Sequence, residues 1–186
     1  MCDKFVGKLW ITPLWQRGVR GDFCNNKQFS IKNPPLSPFS KGGFIITHKF
    51  VAHPIQSIQR CVERARQEYR SDPDGFAENY TLQDAAVLNV LRACEQAIDL
   101  ANHLIQTYKM GIPAASAESF DLLRAKHVID MALSEKLKQM VHFRNIAIHQ
   151  YQHMDIEIVA SVIVSGMDDL VAFGDRVKEF ISGHAS

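Results

Sequence analysis

The sequence has few cysteines and no long apolar run, and both absences exclude common protein classes. Its four cysteines are widely separated and form no CxxC pair, so neither a zinc knuckle nor a disulfide framework is indicated. No apolar run approaches the ~20 residues of a membrane span, and the first residues show no secretory signal pattern. We therefore expect reduced thiols, no membrane partner and a cytoplasmic location.

Motifs for nucleotide, metal and nucleophile chemistry are also missing from the sequence. It contains no GxxxxGK or GxGxxG phosphate loop, and no recognisable Ser or Cys nucleophile motif. His149 and His153 have the four-residue spacing of a metal pair, but neither HExxH nor the Glu-x-x-His of di-iron bundles accompanies them. We therefore expect no bound metal and no cofactor.

The net charge of +1 conceals an uneven distribution along the chain. Residues 1–50 carry eight Lys or Arg and two Asp or Glu, a net of +6, whereas the other 136 residues carry 13 and 18, a net of −5. Residues 33–43, NPPLSPFSKGG, show neither helical nor strand periodicity. Three interpretations of residues 1–50 are open: a basic arm that binds nucleic-acid phosphates, a tail without a role, or sequence translated from upstream of the true start of the protein. We predict a disordered or spurious extension over residues 1–50 and a domain over 51–186.

From about Val51 onward the apolar residues recur at helical spacing. Five helices are predicted, and no strand pattern is present. The longest opens near Thr81, carries apolar residues at intervals of three and four for about six turns, and ends at the sequence MGIP. Ser134 is predicted to cap the fourth helix and Asp155 the last. The predicted fold is an all-α, up-and-down bundle of about five helices.

The fourth helix has an arginine where its apolar face requires a hydrophobic residue. Arg144 lies in register with Leu137 and Met140, and Tyr151 follows one heptad later. A buried unpaired charge costs several kcal/mol, so this arginine must be paired or must face a shared cleft. His149 lies on a neighbouring face, so Arg, His and Tyr are predicted to meet at one end of the helix.

Two further polar residues accompany this group. Asn145 shares the face of His149. Asp99 belongs to a polar stripe on the second helix that is most simply a solvated face. A histidine on a helix is usually structural, and His142 and His153 are assigned to that class.

The segment Arg144-Asn-Ile-Ala-Ile-His149-Gln-Tyr151 fits the R-x4-H-x-Y signature of the HEPN superfamily, and the chain resembles its HepT-type toxins. The resemblance runs from about Ile55 to Phe180. It includes the segments LRACEQAIDLANHLI, SFDLLRAKHVID and LKQMVHFRNIAIHQY. Residues 1–50 match nothing in that family.

The resemblance implies a metal-independent endoribonuclease, the toxin of a toxin–antitoxin module. His149 would transfer protons at the 2′- and 5′-oxygens, and Arg144 would stabilise the charge on the phosphorane. Asn145 would hold the phosphate or orient His149, and Asp99 would support the site.

The same resemblance implies partners and regulation. Beyond the RNA substrate, it implies a homodimer with the site between protomers. It also implies an antitoxin, a minimal nucleotidyltransferase that attaches AMP to Tyr151. The alternative is a non-catalytic HEPN-like module that binds a nucleotide or a partner protein.

Overall fold

A computed structural model describes residues 41–149 and 154–184, with side chains from Phe50 onward. The regular secondary structure of these residues is entirely helical, with no strand among them. The elements are α1 (Lys41–Ser71), α2 (Tyr80–Thr107), α3 (Glu118–Ala125), α4 (Met131–His149), α5 (Ile156–Ser161), a π-helical segment (Val162–Gly166) and α6 (Asp168–Gly183). Because α5, the π segment and α6 follow one another almost without a break, the described chain has five helical segments, and the predicted all-α bundle is confirmed.

The first helix begins earlier than its sequence indicates. α1 begins at Lys41, ten residues before the predicted start near Val51, and it includes the two glycines of the segment predicted to be irregular. Starting a helix is costly, because several residues must be fixed before the first hydrogen bond forms. Each further residue then gains one hydrogen bond, so a helix that is already packed can extend through poor helix formers. The buried side chains of Val51, Ile55 and Ile58 give α1 that packed portion.

The long second helix agrees with its periodicity. Asn79 caps α2, its side chain accepting a hydrogen bond from the Leu82 N–H at 3.2 Å. The core face of α2 includes Val87, Cys94 and Ile98, all predicted from the spacing. α2 ends at Thr107, just before the predicted stop, where Gly111 adopts a φ of +137°.

The predicted cap of the fourth helix is wrong. α4 begins at Met131, and Asp130 is its cap, because the Asp130 Oδ1 accepts a hydrogen bond from the Leu133 N–H at 2.8 Å. Ser134 is a buried residue inside the helix, and its hydroxyl donates to the Phe120 carbonyl at 3.2 Å. Its polar side chain therefore serves the contact between α3 and α4.

The last helical segment is interrupted but begins as predicted. The Asp155 side chain caps α5 by accepting from the Glu157 N–H at 2.9 Å. A π turn leaves carbonyls without their usual helical partners. Arg66 of α1 donates to two carbonyls there, those of Ile163 at 3.2 Å and Val164 at 3.3 Å. This contact joins α1 to the π segment.

The core lies between α1, α2, α4 and α6. Phe120 and Phe173 meet edge to face near its centre, with ring centroids 5.6 Å apart. The contact of α4 with α2 matters most for function, because it fixes where the end of α4 lies. None of the described helices is long and apolar enough to cross a membrane.

Candidate functional site

Arg144 is paired with a carboxylate of the neighbouring helix. Its Nε donates to the Oε1 of Glu95 in α2 at 2.5 Å, and its Nη2 contacts the same oxygen. The side chain of Arg144 is 25% exposed and that of Glu95 is 40% exposed. The sequence predicted that this arginine is either paired or faces a shared cleft, and the first of these two alternatives is the one observed.

The packing of α4 on α2 explains why these two side chains meet. Met140 and Ala147 are buried on α4, and Arg144 lies between them, one turn from each. Cys94 of α2 is buried against the same region, with its Sγ 3.9 Å from the Met140 carbonyl. Glu95 follows Cys94 directly, so its side chain emerges beside the buried contact, within reach of Arg144.

Asn145 fixes the other end of the guanidinium. Its Oδ1 accepts a hydrogen bond from the Arg144 Nη1 at 2.8 Å. A guanidinium has five N–H groups. Glu95 and Asn145 engage three of them, which leaves two without a partner among the described residues. The N–H groups of a guanidinium match the geometry of phosphate oxygens.

His149 is the last residue of α4 and is exposed. It lies one turn beyond Asn145 on the same face, a spacing that places the two Cβ atoms about 5–6 Å apart. His149 is five positions after Arg144, which corresponds to about 7.5 Å along the helix axis. No hydrogen bond among the described residues joins His149 to Arg144. Asn145 is therefore the residue that lies next to both.

The remaining predicted residues of the site are placed less closely. Asp99 is exposed, one turn beyond Glu95 on α2, and makes no ion pair within the described part of the chain. Its supporting role stays a prediction. Tyr151 and His153 lie outside the described residues, and His142 is exposed on α4. The arginine and the asparagine are brought together, whereas Asp99 is not joined to them.

Glu95 is the site residue that the sequence did not predict. Arg92, a member of the polar stripe of α2, lies three residues before it. Cys94, a core residue, directly precedes it. An acidic residue at the edge of an apolar face is a signal for a cross-helix partner. The periodicity of one helix cannot say which residue of another helix that partner is.

The cysteine closest to the site is chemically inert. Burial, followed by the nearby negative charge of Glu95, raises the pKa of the Cys94 thiol to about 12. A thiol is nucleophilic only as its thiolate, so Cys94 is excluded as a nucleophile at neutral pH. Cys61 is also a buried free cysteine, and the reduced state of the thiols stays a prediction. Cys2 and Cys24 lie outside the described residues.

No group of three metal-binding side chains occurs among the residues for which the structure gives positions. The site therefore consists of a paired arginine, an amide and an exposed imidazole at the end of α4. Such groups can bind a phosphate and move a proton. Residues 58–177, which include all of them, match the sequence profile described as Ribonuclease HepT-like.

The chain belongs to the HepT-like ribonuclease family. The predicted family and its enzyme class, endoribonuclease, are thereby confirmed. The mRNA nuclease HepT of Shewanella oneidensis strain MR-1 is 41% identical over 128 residues, which make up 69% of this chain and 96% of the relative.

Two solved structures of toxin–antitoxin proteins are similar to this member of the family. One, described as a toxin–antitoxin with AMP-PNP, is 39% identical, with a TM-score of 0.67 over 70% of this chain and 98% of the other. The second is a tri-AMPylated Shewanella oneidensis HEPN toxin in complex with MNT antitoxin. It is 40% identical, with a TM-score of 0.66 over 69% of this chain and 96% of the other.

Proposed function

We propose that this protein is the toxin of a toxin–antitoxin module and that it cleaves RNA in the cytoplasm without a metal ion. Its family is one of ribonucleases, a relative is named an mRNA nuclease, and two similar structures are toxin–antitoxin proteins. The observation that carries the proposal is the guanidinium of Arg144, which Glu95 and Asn145 hold in one orientation on the helix that ends at the exposed His149.

The proposed reaction needs only protein side chains. The ribose 2′-oxygen attacks the adjacent phosphorus, the bond from phosphorus to the 5′-oxygen breaks, and the products are a 2′,3′-cyclic phosphate and a 5′-hydroxyl. A histidine can move the protons at these two oxygens near neutral pH, which is the role of His149. The two remaining N–H groups of Arg144 bind the phosphorane oxygens, where negative charge develops.

The separation of His149 from Arg144 along α4 supports a homodimer as the active form. About 7.5 Å along the helix axis and about 140° of rotation around it separate the two residues, so one copy of α4 presents them in different directions. Two copies of α4, each with an exposed His149 and a part-exposed Arg144, would form one cleft. In this proposal RNA lies in that cleft, between the two protomers.

Regulation is proposed to act through Tyr151. A relative of known structure is AMPylated and bound to its antitoxin. In this chain, the cognate nucleotidyltransferase antitoxin attaches AMP to Tyr151, two residues after His149. Each AMP brings a phosphate that can pair with Arg144 and bulk that blocks the RNA. Residues 1–50 take no part in this proposal, and we propose that they are dispensable for it.

The proposal is tested by incubating RNA with the full chain in excess EDTA. Cleavage should persist in EDTA and should be lost in His149→Ala and in Arg144→Ala. His142→Ala is the matched control, because His142 is also an exposed histidine of α4 and should tolerate the change. If the well-folded wild type does not cleave RNA, the protein is instead a HEPN-like module that binds a nucleotide or a partner. Cleavage that EDTA abolishes would contradict metal independence.

A further inference from the structure

A groove of about 610 Å³ lies between α1 and α2, on the side of the bundle that carries Glu95. Arg60 and Arg64 line it from α1, and Arg92 lines it from α2. All three side chains are exposed. Since Glu95 also lines the groove and contacts Arg144, the groove leads directly to the candidate site.

The three arginines of this groove differ from the other arginines with described side chains. Eight arginines have described side chains, and five of them form ion pairs with carboxylates: Arg66, Arg70, Arg124, Arg144 and Arg176. The three that form none within the described part of the chain are the three that line the groove. Arg60 makes only a long contact, 3.5 Å, with the hydroxyl of Ser57.

The lining of the groove therefore carries a net positive charge. Glu95 is the one carboxylate in its lining, and its charge is already met by Arg144. Glu63, the acidic residue just before Arg64, is paired with Arg70 and so does not offset the charge of the groove. Unpaired arginines concentrated in one concave surface favour a ligand with several negative charges.

We propose that this groove binds the backbone phosphates of single-stranded RNA next to the phosphate held by Arg144. This inference rests on the proposed function and adds the path of the substrate. Arg60 and Arg64 are one helical turn apart on α1, about 6 Å along the axis, so they can meet different phosphates. Arg92 contacts the strand from the opposite wall, about one helical turn before Glu95 on α2.

The salt dependence of binding tests the path directly. Each phosphate contact with a single strand contributes about 0.7 to the slope of log affinity against log salt, so three contacts contribute about 2. Arg60→Ala/Arg64→Ala/Arg92→Ala should lower the slope by about 2 for a 2′-O-methyl RNA oligonucleotide, which cannot be cleaved through its 2′-oxygen. Between 50 and 200 mM salt, the wild type should then lose about twenty-fold more affinity than the variant.

Two further triple variants separate the groove from net charge. Lys109→Ala/Lys126→Ala/Arg176→Ala removes the same charge from exposed positions outside the groove and should keep the wild-type slope. Arg60→Lys/Arg64→Lys/Arg92→Lys keeps the charge and should retain most of the slope. An equal loss of slope in the control variant would overturn the assignment.

Cleavage assays separate this inference from the proposed function. If the wild type cleaves RNA, the groove variant should raise KM about ten-fold or more at 200 mM salt and leave kcat unchanged, because it removes uniform binding. If the wild type cleaves RNA but the variant has the wild-type slope and the wild-type KM, the groove is not the RNA path, and the proposed function still stands. Absence of cleavage by the wild type overturns the proposed function instead. If the triple alanine variant of the groove no longer binds the antitoxin but still binds RNA with the wild-type salt dependence, the groove is a protein-docking surface and the RNA path is overturned.

Discussion

Glu95 of α2 and Arg144 of α4, 49 residues apart in the chain, meet through a single carboxylate oxygen that contacts both Nε and Nη2 of the guanidinium. A guanidinium bound along this edge cannot rotate freely. Asn145 binds its other side through Nη1. The two remaining N–H groups are therefore held in fixed positions before any substrate arrives, and such preorganisation is what charge stabilisation in a transition state requires.

The first prediction concerns this pair. Glu95→Gln keeps the shape of the side chain but removes its charge. Arg144 is then held less firmly, and no carboxylate offsets its positive charge toward the substrate phosphate. We expect kcat for RNA cleavage to fall about ten- to hundred-fold, since misplaced groups lose rate, while KM stays the same or falls. Steady-state kinetics on one RNA substrate would measure both.

Asp99→Asn is the comparison for that experiment. The sequence predicts a supporting role for Asp99, which lies one turn beyond Glu95, and the geometry favours Glu95 as the partner of Arg144. We expect the smaller loss in Asp99→Asn. A larger loss there than in Glu95→Gln would return the supporting role to Asp99.

The second prediction concerns Tyr151 and the antitoxin. Co-expression with the cognate nucleotidyltransferase should raise the mass of this protein by one or more AMP units, located on Tyr151 by mass spectrometry. Tyr151→Phe should remain toxic, because a phenol with an ordinary pKa of about 10 is a poor base at neutral pH, and it should escape neutralisation. Silencing of the Phe variant by the antitoxin would show that inhibition does not need this tyrosine.

The third prediction concerns the N-terminal region. A chain that begins at Lys41 keeps all of α1, and one that begins near Val51 removes ten residues of α1 but keeps the buried Val51 and Ile55. We expect both shortened chains to fold and to cleave RNA. Circular dichroism and the cleavage rate at low salt would test this. A folded short chain that loses cleavage at low salt would instead support a basic arm on the RNA.

The fourth prediction concerns the contact of α1 with α6. A Cβ added at Gly174 would lie 3.1 Å from the Cγ2 of Ile55, which is fully buried, whereas one added at Gly183 would meet nothing within 4 Å. Gly174→Val should lower the free energy of unfolding by about 2 kcal/mol or more, the cost of overpacking a core. Gly183→Val should change it little. Urea unfolding of both variants measures the difference, and equal values would contradict this close contact.

The fifth prediction concerns alkaline pH. Burial raises the pKa of Cys94 from 9.0 to about 12, so the folded state keeps this thiol neutral where the unfolded state ionises it. Its contribution to stability is complete below pH 9 and is lost as the pH rises toward 12. The free energy of unfolding should therefore fall more steeply from pH 8 to 10.5 in the wild type than in Cys94→Ala. Parallel curves for the two proteins would contradict the raised pKa.

The sequence by itself determined the helices and the family. Apolar spacing predicted the buried face of α2, because an amphipathic helix must bury one side whatever its neighbours are. The signature from Arg144 to Tyr151 identified the family, since it lies within one helix and depends on no contact between elements. Local chemistry also predicted that Asp155 caps α5, because a cap involves only adjacent residues.

Only the tertiary structure decided which side chains meet across helices. It paired Arg144 with Glu95 rather than with Asp99, and it made Asp130 the cap of α4 while Ser134 joined α3 to α4. It also collected into one groove the arginines of α1 and α2 that form no ion pair with the residues whose side chains are described. Periodicity states which face of a helix is buried, but the rotation and offset of two packed helices set their cross-helix contacts. Those two quantities depend on how the whole core packs.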